Sequence, residues 1–416
     1  MSSSFLQPEA LFSAEDKNKL KIFSACFAPL LTQMKALRVS LAATALLSSA
    51  SALEFRTISP PEGYSSISLT GTSNNGEFLS GYASNFNLPP FGFRWSEAKN
   101  FERIFEPSPS TATHPAAYAR EITPDGRTII GDYQTSNGSA SRLWREESGV
   151  SDLPLPVGSN GQSWASVVSS NGNFIGGTFR RAGGSLGDNR TTLWSASTNS
   201  TIILQDQNGS SYGTSSIGGM SADGSIIVGT NSTRPFIWEA NGSLTFIPNL
   251  YADQTRQIGS AISGNGTTVI GYVRRIIGET TIDSPYVWNE GGIHEALPLL
   301  PTARRAYANE INFTGNLIAG IAVLEDGTTT TFIWDQFHGT RDLKSILVDL
   351  GYPIEEWDSF TISDISEDGT ALVGNARDAN FNSVGWQITN FASGIPEPST
   401  LVLLLLSTAA ALRRKR

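Results

Sequence analysis

Hydrophobic and polar positions between residues 53 and 392 repeat one pattern: an apolar residue, Ser, Thr or Asn, a variable residue, Asp or Asn, Gly, two variable residues, two apolar residues and a second Gly. Clear copies run over residues 122–131, 220–229, 262–271 and 365–374, built on Gly126, Gly224, Gly266 and Gly369. Looser copies sit on Gly76, Gly172 and Gly315, and in every copy the second glycine follows the first by five residues. An Asx-Gly pair between two β-like runs predicts a hairpin, because glycine takes positive φ without a Cβ clash and the Asx side chain bonds the turn backbone. Each turn is followed, 14 to 22 residues later, by a tryptophan in a short apolar run: Trp95, Trp144, Trp194, Trp238, Trp288, Trp334 and Trp386.

A period of 42 to 54 residues holding two hairpin signals gives four antiparallel strands per unit, the size of a β-propeller blade. The expected fold is all-β: a seven-bladed β-propeller over residues 53–392, with the repeat tryptophans as wedges between blades. Little chain remains after Trp386 for a fourth strand of the last blade, whereas residues 53–59, LEFRTIS, form an orphan strand before the first turn. That N-terminal strand is therefore expected to complete the last blade and close the ring, leaving no exposed sheet edge.

The Ser-x-Asp-Gly stretches with their aromatic-x-Trp endings resemble the HAF-type extracellular repeat family over residues 60–390, with the first, third and sixth copies departing from its pattern. The resemblance implies an extracellular repeat protein and no particular reaction. Ser-x-Asp-Gly is also similar to the Asp-box of sialidase propellers. There a tryptophan follows in the same turn where this chain has glycine, so no glycosidase activity is carried over.

Both ends read as targeting segments. From Met34 the chain runs MKALRVSLAATALLSSASA, a basic flank, a short apolar run and an Ala50-Ser51-Ala52 site, the three parts of a secretory signal peptide over residues 34–52. Residues 1–33 are then expected to be an upstream extension from a start assigned too early. At the other end, residues 393–416 read SGIPEPSTLVLLLLSTAAALRRKR, with Pro396-Glu397-Pro398, an apolar segment at 401–412 and a terminal basic cluster. Twelve residues rise about 18 Å as a helix, short of a ~30 Å hydrocarbon core, and the terminal bases favour the cytoplasmic side. This tail resembles the PEP-CTERM sorting signal. The resemblance implies a short C-terminal transmembrane helix, transient anchoring in the inner membrane, cleavage near Pro396-Glu397-Pro398 by an exosortase, and release to the cell surface or extracellular matrix.

Composition sharpens these expectations. The chain has 416 residues and a formal charge of −9, and removing both end segments leaves roughly −14 on residues 53–394, which repels phosphate backbones and argues against nucleic-acid partners. The single Cys26 lies upstream of the repeats, so the body has no disulfide. His114, His294 and His338 are far apart in sequence, and neither a metal site nor a cofactor is expected.

Candidate chemistry is confined to one face. Loops joining strands two and three, and consecutive blades, share one side of a propeller, and residues 178–190, 251–257 and 274–284 read as its longest loops. Tyr118, Trp164 and Tyr307 each precede their repeat glycine by eight residues, near Arg120, Arg256, Arg304 and Arg305. Such a rim suits an acidic polysaccharide or a protein loop. Asp125, Asp223 and Asp368 fall in separate blades, so no catalytic pair is expected. The expected function is a non-catalytic extracellular binding or matrix module, the alternative being a glycan hydrolase or lyase, which would gather buried carboxylates or an arginine cluster with a tyrosine at the channel.

Overall fold

The Ser-x-Asx-Gly turns close as their residue types require. In the computed structural model, Asp223 Oδ1 accepts the backbone N–H of Ser225 at 2.9 Å and the Ser221 hydroxyl at 2.7 Å, while Ser221 Oγ accepts the N–H of Ile226 at 3.0 Å. Thr123 with Asp125, Ser263 with Asn265 and Ser366 with Asp368 repeat this geometry, and the four turn glycines have φ between +71° and +77°. The serine or threonine is thus as much a part of the turn as the Asx-Gly pair. The structure describes residues 53–108, 115–184, 188–204, 215–378, 380 and 382–391. Ala50, Ala52, Cys26, His114 and the tail from residue 392, with Pro396, Glu397 and Pro398, lie outside them.

Seven four-stranded antiparallel sheets follow from these turns. Their first strands, Ser66–Thr72, Ala117–Ile122, Ser159–Val168, Ser215–Met220, Gln254–Ile262, Ala303–Ile311 and Asp358–Ile365, all line one central channel. The arrangement is a seven-bladed β-propeller. Its ring closes through the N-terminal strand: Glu54–Ile58 is the outer strand of blade seven and pairs with Ser383–Thr389, Glu54 opposite Thr389 and Ile58 opposite Gly385.

Packing between blades holds the ring. Trp194 and Trp386 are fully buried, and Trp144 and Trp238 nearly so, while Trp95, Trp288 and Trp334 are half-buried near the rim. The indole of Trp386 stacks on Phe360 at 4.6 Å and 10°. It sits in the cluster that also holds Leu343 and Leu347 of a helix, α1 (Leu343–Asp349), absent from the sequence expectations. Asp342 caps α1 by accepting the N–H of Lys344 at 3.1 Å.

The second repeat glycine has a different task from the first. Every inner strand carries a β-bulge, for example between Ala119 and Glu121, just after the residue that faces this glycine. At Gly131 a Cβ would lie 2.0 Å from the Tyr118 carbonyl, and at Gly374 2.0 Å from that of Thr361. Only glycine lets the strand pass the bulge.

The expected long loops are corrected in part. Residues 274–284 are the arms of an extended hairpin, Thr268–Ile277 with Thr280–Asn289, and residues 254–257 already belong to the inner strand Gln254–Ile262. Cross-strand pairing of charged residues, Arg274 opposite Asp283, keeps this polar segment in the sheet.

Candidate functional site

The bulges set what faces the channel. The position five residues before each turn glycine is the second residue of the bulge, occupied by Gly71, Glu121, Val167, Gly219, Ala261, Glu310 and Asp364. Three blades therefore aim a carboxylate at one cavity of about 360 Å³. Glu121 Oε2 accepts the N–H of Val168 in the next blade at 2.9 Å, and Asp364 Oδ2 accepts that of Thr72 across the ring closure at 2.8 Å. No hydrogen bond from another described residue reaches the Glu310 carboxylate.

These groups are half-exposed to the channel lumen, yet protein surrounds them, and the one cationic side chain among the described residues lining the same cavity, Arg120, is taken by Asp132. Burial, and then the negative charge of Asp364 and Glu121, holds the Glu310 carboxyl well above the usual carboxylate range. Burial, with Asp364 and Glu367 nearby, raises Glu121 likewise. Burial also pushes Asp364 up to about 7, against the opposing pull of its backbone hydrogen bonds. Among the described residues, no group of three or more His, Cys, Asp and Glu is placed to hold a metal ion.

The two mouths of the channel differ. On the turn side the blades bond tip to tip: Asn74 N–H to Pro124 O, Ser170 to Ala222, Ala222 to Gly264, Asn265 to Phe313 and Phe313 to Glu367, all between 2.8 and 3.0 Å. Blade two cannot donate because its residue at this position, Pro124, has no N–H. The Ser170 hydroxyl of blade three donates to Glu367 Oε1 of blade seven, a bond that spans the channel and pinches this mouth. On the loop side a hollow of about 590 Å³ stays open, lined by Tyr82, Arg120, Asp132, Trp164 and Ser363.

Several rim residues picked from the sequence are occupied in packing. Tyr118 meets Tyr82 of blade one edge-on at 5.0 Å, and Tyr307 meets Tyr272 of blade five at 4.9 Å, so both seal blade junctions. Arg120 stacks on Tyr118 at 4.8 Å and is held by Asp132 at 2.6 Å. Trp164 is half-buried at the open mouth, with Arg180 over its ring at 5.7 Å. Arg304 is exposed and Arg305 half-buried, and no salt bridge to a described residue reaches either one. Asp125, Asp223 and Asp368 are spent on their turns.

No family model matches the chain, and no curated protein matches it. Solved structures do. An oligogalacturonate lyase from Vibrio parahaemolyticus superposes with a TM-score of 0.55 at 10% identity, covering 82% of this chain and 97% of that one. An oligogalacturonate lyase in complex with manganese gives 0.54 at 10% identity, covering 83% and 97%. At such identity the likeness shows a shared propeller fold.

The carboxylates at Glu121, Glu310 and Asp364 escaped the sequence reading. Their signal was an acid at one fixed repeat position in three blades where the other four carry Gly, Val, Gly and Ala. Aligning the turns hid it, because the motif begins one residue later.

Proposed function

We propose that this chain is an exported propeller acting as a non-catalytic binding module, whose ligand, a polysaccharide or a partner protein, docks at the loop-side mouth. On this reading signal peptidase cuts after Ala52, the tail holds the protein briefly in the inner membrane, and an exosortase cuts near Pro396-Glu397-Pro398. The observation that supports it best is the asymmetry of the channel. A bond across the lumen pinches the turn side, while Trp164, Tyr82 and Arg120 offer a mixed aromatic and polar hollow on the other.

Two experiments test the reading. A tagged full-length chain expressed in an exopolysaccharide-producing bacterium should be recovered from the extracellular fraction, and should stay in membranes when residues 396–398 are replaced by alanines. Purified protein should retain a matrix component and lose it on Trp164→Ala. A cytoplasmic, unprocessed chain would end the export half, and retention unchanged by Trp164→Ala would end the loop-side half.

One observation favours the alternative of a glycan hydrolase. Three carboxylates share the channel, and burial holds the Glu310 carboxyl well above the usual carboxylate range, the direction a general acid requires. Release of reducing ends from extracellular glycans, abolished by Glu310→Gln, would decide for the enzyme.

A further inference from the structure

In a body of strongly negative charge, the loop side of blades five and six concentrates five arginines, Arg256, Arg274, Arg275, Arg304 and Arg305. Arg256, Arg274 and Asp283 stand directly opposite one another on three adjacent strands, so their side chains share one face of blade five. The fully buried Asp283 takes Arg274 in a bidentate pair, 2.7 and 2.9 Å, and accepts the Tyr307 hydroxyl of blade six at 2.8 Å. Arg305, two residues before Tyr307 on the same strand, faces the same carboxylate.

Arg274 and Arg305 therefore share a single carboxylate, and Arg256 adds a third guanidinium on the same face of the sheet, opposite Arg274. Like charges directly opposite on a sheet repel, and here Asp283 neutralises only one of them. The Nε atoms of Arg256 and Arg305 are buried with no hydrogen-bond partner among the described residues, donors that cost stability unless an acceptor arrives. Arg180 of blade three, eight residues after its turn glycine just as Arg274 is, also has an unpartnered buried Nε and lies over Trp164.

We propose that the Arg256–Arg305 cluster is an oxyanion subsite of the loop-side mouth, and that the ligand is a polysaccharide bearing carboxylate or sulfate groups. The inference rests on the loop-side reading above and gives it a chemical class. Planar guanidinium groups fit oxyanions through paired N–H donors, and the Tyr307 hydroxyl, held by Asp283, fixes the geometry of the site. The ring of Trp164 on the same side of the propeller supplies the flat apolar face a sugar requires and an extended acidic peptide does not.

The test is affinity electrophoresis and calorimetry of the full-length chain against polygalacturonate, dextran sulfate, neutral dextran and polyglutamate. Wild type should bind one or both acidic polysaccharides and ignore neutral dextran, and the two acidic arms tell carboxylate from sulfate. Arg256→Gln/Arg305→Gln should weaken binding tenfold or more and flatten its salt dependence, with the far-ultraviolet spectrum unchanged and the melting temperature no lower than that of wild type. Arg127→Gln, on the turn side of blade two and paired with Glu146, should bind as wild type. Undiminished binding by the double variant overturns the subsite, and equal binding of polyglutamate overturns the polysaccharide class. If neutral dextran binds and Trp164→Ala abolishes it, the loop-side reading survives without this subsite. If Trp164→Ala changes nothing in any arm, both fall.

Discussion

The two ends of the central channel are built from the same seven strands and behave differently. On the turn side the same Ser/Thr/Asn-x-Asx-Gly type of turn recurs with variations, and the tips join through backbone hydrogen bonds and the Ser170 to Glu367 contact. On the loop side the blades have diverged. Hairpins differ in length, and arginines, tyrosines and Trp164 appear in some blades and not in others. Repetition marks the residues that hold the ring, whereas departure from repetition marks those available for a ligand.

Substitutions should divide along this line. The largest loss is expected at the ring closure, where Trp386→Ala removes a fully buried indole stacked on Phe360 and should cost about 3–5 kcal/mol in denaturant unfolding. A midpoint within error of wild type would mean that blade seven is not packed as described. Next comes Gly131→Ala, which drives a methyl against the Tyr118 carbonyl and should cost about 1–3 kcal/mol. The same assay reads it, and an effect below about 0.5 kcal/mol would argue against the bulge.

The carboxylates in mid-channel give a change of opposite sign. Their folded pKa values lie above the unfolded ones, so the native ring binds more protons in the interval between, and stability falls as pH rises from about 4 to about 7. Glu310→Gln removes an uncompensated charge. It should raise the unfolding free energy at pH 8 by about 1 kcal/mol and leave it unchanged at pH 4. A destabilised variant at pH 8 would show that the Glu310 charge has a partner. Smallest of all, Trp164→Ala at the open mouth should shift stability by less than about 1 kcal/mol while changing ligand retention.

The legibility of the chain follows the same division. Turns, tryptophan wedges and the closing strand are local or repeated signals: Ser221-x-Asp223-Gly224 specifies its hairpin within five residues, and the shortage of chain after Trp386 points to Glu54–Ile58 as its complement. The bulges were hidden because the glycine that permits them reads as an ordinary strand break. The meeting of Glu121, Glu310 and Asp364 was hidden for a different reason. Residues 189 and 243 positions apart come together only when a ring is closed around them, and no local pattern carries that distance. Tyr118 and Tyr307 were placed on the correct face, but each spends its ring on a neighbouring blade.

Amide hydrogen exchange resolved to single residues tests the asymmetry most directly. The N–H groups of Ser170, Ala222, Asn265 and Phe313, though they sit at turn tips, should exchange only through global unfolding because each is bonded to the next blade. Loop-side tips such as Gly278 and Glu279 should exchange orders of magnitude faster. Turn-tip amides that exchange as fast as those of the loop tips would contradict a channel pinched at one end and open at the other.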